Sequence, residues 1–137
     1  MLKPKLPIKN IVSILNRNGV ELGFVFGSVL TEYFNKDSDI DIGVLFPKSF
    51  SIKKRFQLRV ELINQLSKIL KRQVDLVVLN DVTSLLLKFV VISEGRLIYS
   101  SSEDANINYQ FAVMTEYHDF KPFLDMYNQH YVQKNTR

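Results

Sequence analysis

Gly27-Ser28, then ten residues, then Asp39-Ile40-Asp41-Ile42-Gly43-Val44-Leu45-Phe46 is the stretch on which the fold turns. Asp39 to Phe46 alternates acidic and apolar residues before turning wholly apolar, which predicts a strand whose far end is buried. Pro47 ends it. Upstream, Glu21 to Phe26 reads as another strand that runs straight into Gly27. The unit is thus strand, Gly-Ser turn, strand. Strand side chains repeat every two residues, so Asp39 and Asp41 share one face, about 7 Å apart along it. Ile40 and Ile42 then point into the core.

Two carboxylates on one face repel each other and need a compensating cation. Magnesium suits them, because it takes carboxylate oxygens and leaves room for phosphate oxygens and water. A pair of such ions, about 3.5–4 Å apart, can serve both the attacking and the leaving oxygen of a displacement. Asp75 interrupts the apolar run Val74-Asp75-Leu76-Val77-Val78, where a lone carboxylate needs a partner or solvent. If the two strands are neighbours, Asp75 is a third ligand and a base for an incoming hydroxyl. Glycine lets the chain turn sharply at Gly27. Amides after that turn, with the Ser28 hydroxyl, can bind a triphosphate. Together these residues predict magnesium-dependent attack on the α-phosphorus of a nucleoside triphosphate, with pyrophosphate leaving. Gly-Ser and D-x-D are each common; at this spacing they arise by composition roughly once in a thousand such chains.

The rest of the chain supplies an α/β frame. Ile8, Ile11, Val12 and Leu15 fall at helical spacing, with Gly19 placed to stop that helix. Ser28 to Asn35 reads as a short helix or helical turn, and Lys36 to Ser38 as a polar turn. A long amphipathic helix follows Pro47, with Ile52, Phe56, Ile63, Leu66 and Leu70 on its expected inner face. Lys53, Lys54, Arg55 and Arg59 are expected on a solvated face. Val74 to Leu79 is the third strand, Leu85 to Ile92 a short helix capped by Gly95, and Arg96 to Ser100 a short edge strand. From Ser102 the pattern is helical, with Phe111, Met114, Tyr117 and His118 roughly on one side and Pro122 expected to kink or interrupt it. No repeat or linker divides the chain, so residues 1–137 are expected to form one domain with a C-terminal helical segment over about 103–131.

Composition narrows the chemistry. With 137 residues, 46% hydrophobic and 23% charged, the chain is an ordinary globular size and mix. It has no cysteine, which excludes disulfides and thiolate chemistry. His118 and His130 lack a cysteine partner and do not read as a zinc site. No apolar run approaches the roughly 18 residues that span a bilayer, and no signal peptide is evident, so a cytoplasmic protein without membrane contact is expected. The net charge of +4 suits a polyanionic partner and equally a solvated basic surface.

Gly27-Ser28 through Asp39-Ile40-Asp41 matches the G-S-x10-D-x-D pattern of minimal nucleotidyltransferases in the DNA polymerase beta superfamily. The resemblance extends over almost the whole chain to the MntA-type antitoxins paired with HEPN ribonuclease toxins, through Val74-Asp75-Leu76-Val77, Glu94-Gly95-Arg96-Leu97-Ile98-Tyr99 and the Phe111-Ala112-Val113 helix. It implies the polymerase-beta-like fold, a small mixed sheet flanked by helices. It also implies an antitoxin that moves AMP from ATP to a tyrosine of its HEPN toxin and so blocks the ribonuclease site. On that resemblance Asp39 and Asp41 bind Mg2+, Asp75 activates the tyrosine hydroxyl, and Gly27 and Ser28 hold the triphosphate. The chain departs from the family at Thr31, near which many members carry an arginine; Lys36 is the first base after Gly-Ser.

Tyr109, Phe111, Tyr117, Phe120, Phe123, Tyr127 and Tyr131 read as core or as a protein interface. They are not interleaved with a strong basic run, so direct nucleic-acid binding is not expected. His118 reads as a packing or surface residue. Two alternatives accompany the antitoxin reading: nucleotidyl transfer to a small molecule such as an aminoglycoside, and a non-enzymatic antitoxin that masks its toxin by contact. The first has little room for an acceptor domain in this length. The second leaves three clustered carboxylates unexplained.

Overall fold

A computed structural model describes residues 6–135; beyond residue 123 the side chains of only 125, 126 and 129 are described. The order of elements is helix α1 (Ile8–Arg17), strand β1 (Leu22–Phe26), a 3₁₀ turn (Gly27–Leu30) and strand β2 (Ile40–Leu45). Helix α2 (Ile52–Leu70), strand β3 (Val74–Val78), helix α3 (Leu85–Glu94), strand β4 (Arg96–Ser100) and helix α4 (Glu103–Asn135) follow. The four strands form one sheet in the order β3-β2-β1-β4. β1 pairs antiparallel with β2 and with β4, while β2 and β3 run parallel. The sheet is mixed, as expected. The parallel pair requires a crossover, and α2 supplies it.

The alternation along β2 decides which side chains meet which layer. Ile40, Ile42 and Val44 are fully buried with Val25, Leu62 and Leu66 in a core that α1 and α2 cover. The opposite face carries Leu22, Phe24 and Leu79 under Val91 of α3, with Tyr109 of α4 beside them. Asp41 and Asp75 lie on this second face by strand parity, at its open end. Burial of both faces explains why β2 reads as almost continuously apolar after Asp41.

Helix ends follow their sequence signals. Gly19 takes φ +72 just past α1, Ser51 accepts a bond from Lys54 N at 3.1 Å, and Ser84 accepts one from Leu87 N at 3.1 Å. α2 ends on Lys71, a non-glycine residue in the left-handed region at φ 53.

Three expectations are corrected. Of the expected inner face of α2, Leu66 is buried and Ile63 and Leu70 pack against the core, joined by Leu58, Leu62 and Ile69; Ile52 and Phe56 are instead 74% and 63% exposed. The helix packs on β3 and α1 through the line of Leu62 and Leu66, and Ile52 and Phe56 lie off that line. Arg55 and Arg59 are not simply solvated: Arg55 forks onto Asp81, and Arg59 Nε donates to Leu76 O at 3.3 Å. Along α4, Val113 is buried; Phe111, read as core or interface, is 72% exposed, and Tyr117 stacks on Phe89 with centroids 3.9 Å apart. Finally, α4 continues through Pro122. One missing N–H in an exposed stretch does not outweigh good helix formers on both sides. His118 is exposed, edge-on to Tyr117; Tyr127, His130 and Tyr131 fall outside the described side chains. Among the described residues, no helix is long and apolar enough to cross a membrane.

Candidate active site

The site is built where β1 stops and β2 and β3 begin. Because β1 and β2 are antiparallel, the last residue of β1 faces the start of β2: Phe26 pairs with Asp41. Because β2 and β3 are parallel and begin together, Asp41 pairs with Asp75. Ile40 N donates to Gln73 O at 3.1 Å and opens that ladder. Asp39 stands just before β2 and is exposed, as is Asp75, while Asp41 is half-buried. Register alone therefore brings two of the three predicted carboxylates side by side, with the third two residues away on the same strand line.

Their mutual repulsion is visible in Asp41. Burial, then the charge and a hydrogen bond of Asp75, then the charge of Asp39, push its carboxyl up to about 6. Among the described residues no salt bridge reaches any of the three.

Gly27 is fixed by this carboxylate in two ways. Its φ is +80, and a Cβ there would overlap Asp41 Oδ2. Glycine is thus required both for the turn and for the space that Asp41 occupies. The helical conformation after it is shorter than the expected Ser28–Asn35: it covers Gly27–Leu30 and stops at Thr31. Thr31 explains the stop. Its amide and its hydroxyl both donate to Ser28 O, at 2.9 and 2.8 Å, and its Oγ1 accepts from Tyr33 N at 3.2 Å. At the position where an arginine was looked for, this chain has a turn-making side chain.

The loop from there to Asp39 is folded on itself. Asn35 Oδ1 accepts from Asp37 N at 2.8 Å, Ser38 Oγ from Asn35 N at 3.1 Å, and Asn35 O from Ser38 N at 3.1 Å. Arg72, just before β3, donates from Nη1 to both Asn35 O (2.8 Å) and Ser38 O (3.0 Å), and its guanidinium lies 4.4 Å from the Phe34 ring centroid. Sequence reading passed over Arg72, since Lys71-Arg72 looks like any basic helix end; only its place three residues before Asp75 hinted at more.

Among the described residues, no three His, Cys, Asp or Glu side chains converge so as to cage a metal by themselves. Magnesium does not demand such a cage. It binds through one or two carboxylates, with substrate phosphates and water completing six oxygens. Asp41 between Asp39 and Asp75, with a glycine in place of any side chain opposite, fits that pattern: the donors are hard oxygens and their excess charge is unbalanced.

A mixed sheet ordered β3-β2-β1-β4, with helices on both faces and carboxylates at the β2/β3 start, defines the polymerase-beta-like nucleotidyltransferase fold. The chain belongs to the polymerase beta nucleotidyltransferase family, whose model matches residues 9–104. Solved structures with this shape include a mutant MntA–HpeT toxin–antitoxin (TM-score 0.73, 22% identity, 96% of this chain and 100% of that chain). A toxin–antitoxin with AMP-PNP is similar at TM-score 0.71 and 25% identity, over 96% of this chain and 100% of that one. A tri-AMPylated Shewanella oneidensis HEPN toxin in complex with MNT antitoxin follows at TM-score 0.66 and 24% identity, over 95% and 96%. Among curated proteins no relative matches the chain.

Proposed function

We propose that this protein is a cytoplasmic, single-domain antitoxin that transfers AMP from ATP to a tyrosine of a cognate HEPN ribonuclease toxin. The observation that carries the reading is Asp41, paired with Asp75 and within the field of Asp39, with its carboxyl raised to about 6 and Gly27 kept bare beside it. Such a cluster is unfavourable for folding and useful for a cation-bearing triphosphate. Support for the acceptor comes from the neighbours: one was solved with AMP-PNP, another with an AMPylated toxin.

In this reading Asp39 and Asp41 hold Mg2+, with Asp75 adjoining as a further ligand. The metal, as one or two ions, supplies neutralisation of the triphosphate charge when bound. Gly27 lets the backbone approach the phosphates, and the Ser28 hydroxyl donates to them. Asp75, exposed beside Asp41, takes the proton from the tyrosine hydroxyl. The tyrosine oxygen forms its bond to the α-phosphorus as the bond to the bridging oxygen breaks, and pyrophosphate leaves. Alignment and charge supply most of the rate. The exposed apolar residues Ile107, Phe111 and Met114 along α4 give a protein partner a surface that a small-molecule acceptor would not need.

The test mixes α-labelled ATP and Mg2+ with a HEPN ribonuclease that forms a complex with this chain. Label is expected on the partner with the wild-type chain and not with Asp39→Ala/Asp41→Ala. Absence of label, or equal label with both, overturns the proposal.

A further inference from the structure

Asp39 is the one carboxylate of the three that no strand pairing holds. It is exposed, lies outside β2, and follows a loop whose other bonds are mostly internal. A residue so placed would sample many positions relative to Asp41 unless something outside the loop held it. Among the described residues Arg72 supplies that tie. One nitrogen bonds two carbonyls three residues apart, which fixes the turn Asn35–Ser38 as a unit, and the flat guanidinium packs on Phe34 of the same loop. The left-handed Lys71 ends α2 abruptly just before Arg72. On the other side, Gln73 O pairs with Ile40 N, so the clamp is rooted at the start of the ladder that sets Asp75 beside Asp41.

We infer that Arg72 is a positioning residue, which clamps the loop before Asp39 to the start of β3 and so fixes the Asp39 carboxylate relative to Asp41 and Asp75 for a divalent cation. The inference rests on the metal-binding reading of the three aspartates. Order in this loop then comes from a turn-making threonine at one end and an arginine from outside at the other. A lysine cannot replace it fully, since an ammonium has no planar face to stack on a ring.

Mn2+ binding, followed by electron paramagnetic resonance in the absence of nucleotide, tests this without an activity assay. Arg72→Ala is expected to weaken Mn2+ affinity about 10- to 100-fold, the usual effect of removing the support of a metal ligand. Amides of residues 35–38 should exchange with solvent faster, while those of β1 and β2 stay protected. Arg72→Lys, which keeps charge and stem if the alanine variant folds poorly, should fall between. Wild-type Mn2+ affinity in Arg72→Ala overturns the inference, even if the loop exchanges faster, because the clamp then serves only the fold. A wild-type chain that binds no Mn2+, like Asp39→Ala/Asp41→Ala, overturns the metal reading itself and the inference with it.

Discussion

The two ends of the β2–β3 pair carry comparable numbers of polar groups and treat them in opposite ways. At the end where the strands finish, every group named here has a partner. Asn80 accepts from Phe46 N and donates to Phe46 O, each at 2.9 Å, and Arg55 grips Asp81 with Nε at 3.1 Å and Nη2 at 2.6 Å while reaching Phe50 O at 2.7 Å. Where the strands begin, Asp39, Asp41 and Asp75 crowd together, and among the described residues none has an ion-pair partner. Folding rewards satisfied groups, so one end is explained by the fold and the other is not. The unbalanced end is where a ligand is to be looked for.

That contrast can be broken or sharpened by mutation. The largest effect is expected from Asp41→Ala or Asp39→Ala, which should lower AMP transfer about 100- to 1000-fold, given what one lost electrostatic contact costs in catalysis. Neither should lower the melting temperature, since each relieves repulsion. Next, Gly27→Ala should destabilise by about 1–3 kcal/mol, as strained backbone positions do. Part of that loss should vanish when Asp41→Ala is added, because the overlap is with the Asp41 carboxylate; denaturant melts of the double-mutant cycle measure it.

Acidity gives a third contrast. The folded Asp41 holds its proton up to about 6, against 3.8 for the ordinary side chain. Between these values the folded state binds more protons than the unfolded one, so this group's contribution to stability falls as pH rises from about 4 to about 6. Metal-free protein should therefore show that slope in its melting temperature, and Asp41→Asn should flatten it. Added Mg2+ should be more effective above this window than below. The smallest effect is expected at the satisfied end. Asp81→Asn should lower the melting temperature slightly and leave AMP transfer unchanged, since the Asp81 end of the pair is exposed and Arg55 keeps its bond to Phe50 O.

Much of this was legible in the chain. The alternation Asp39-Ile40-Asp41-Ile42 fixed a strand and its buried face, because period-two patterning survives any packing that buries one side. The apolar run around Val74 gave β3, and Gly19 and Gly95 marked where α1 and α3 end. The adjacency of Asp41 and Asp75 was readable only as a condition, since pairing between strands separated by a 19-residue helix depends on topology. Ile52 and Phe56 misled because they continue the line of Ile63 and Leu70, which lies at the edge of the buried face and not at its centre. The turn-making role of Thr31 and the clamp at Arg72 were not readable for a related reason. Each acts through backbone carbonyls, which every residue has and no sequence motif records.

The central claim is that the crowded carboxylates exist for a metal-bound nucleotide. Thermal melting at pH 7.5 with Mg2+ and a non-hydrolysable ATP analogue tests it most directly, since a ligand that binds only the folded state raises the melting temperature. The wild-type chain should be stabilised by the two together and little by the nucleotide alone, while Asp39→Ala/Asp41→Ala should show no such rise. An equal rise in both proteins, or none in the wild type, would contradict the account.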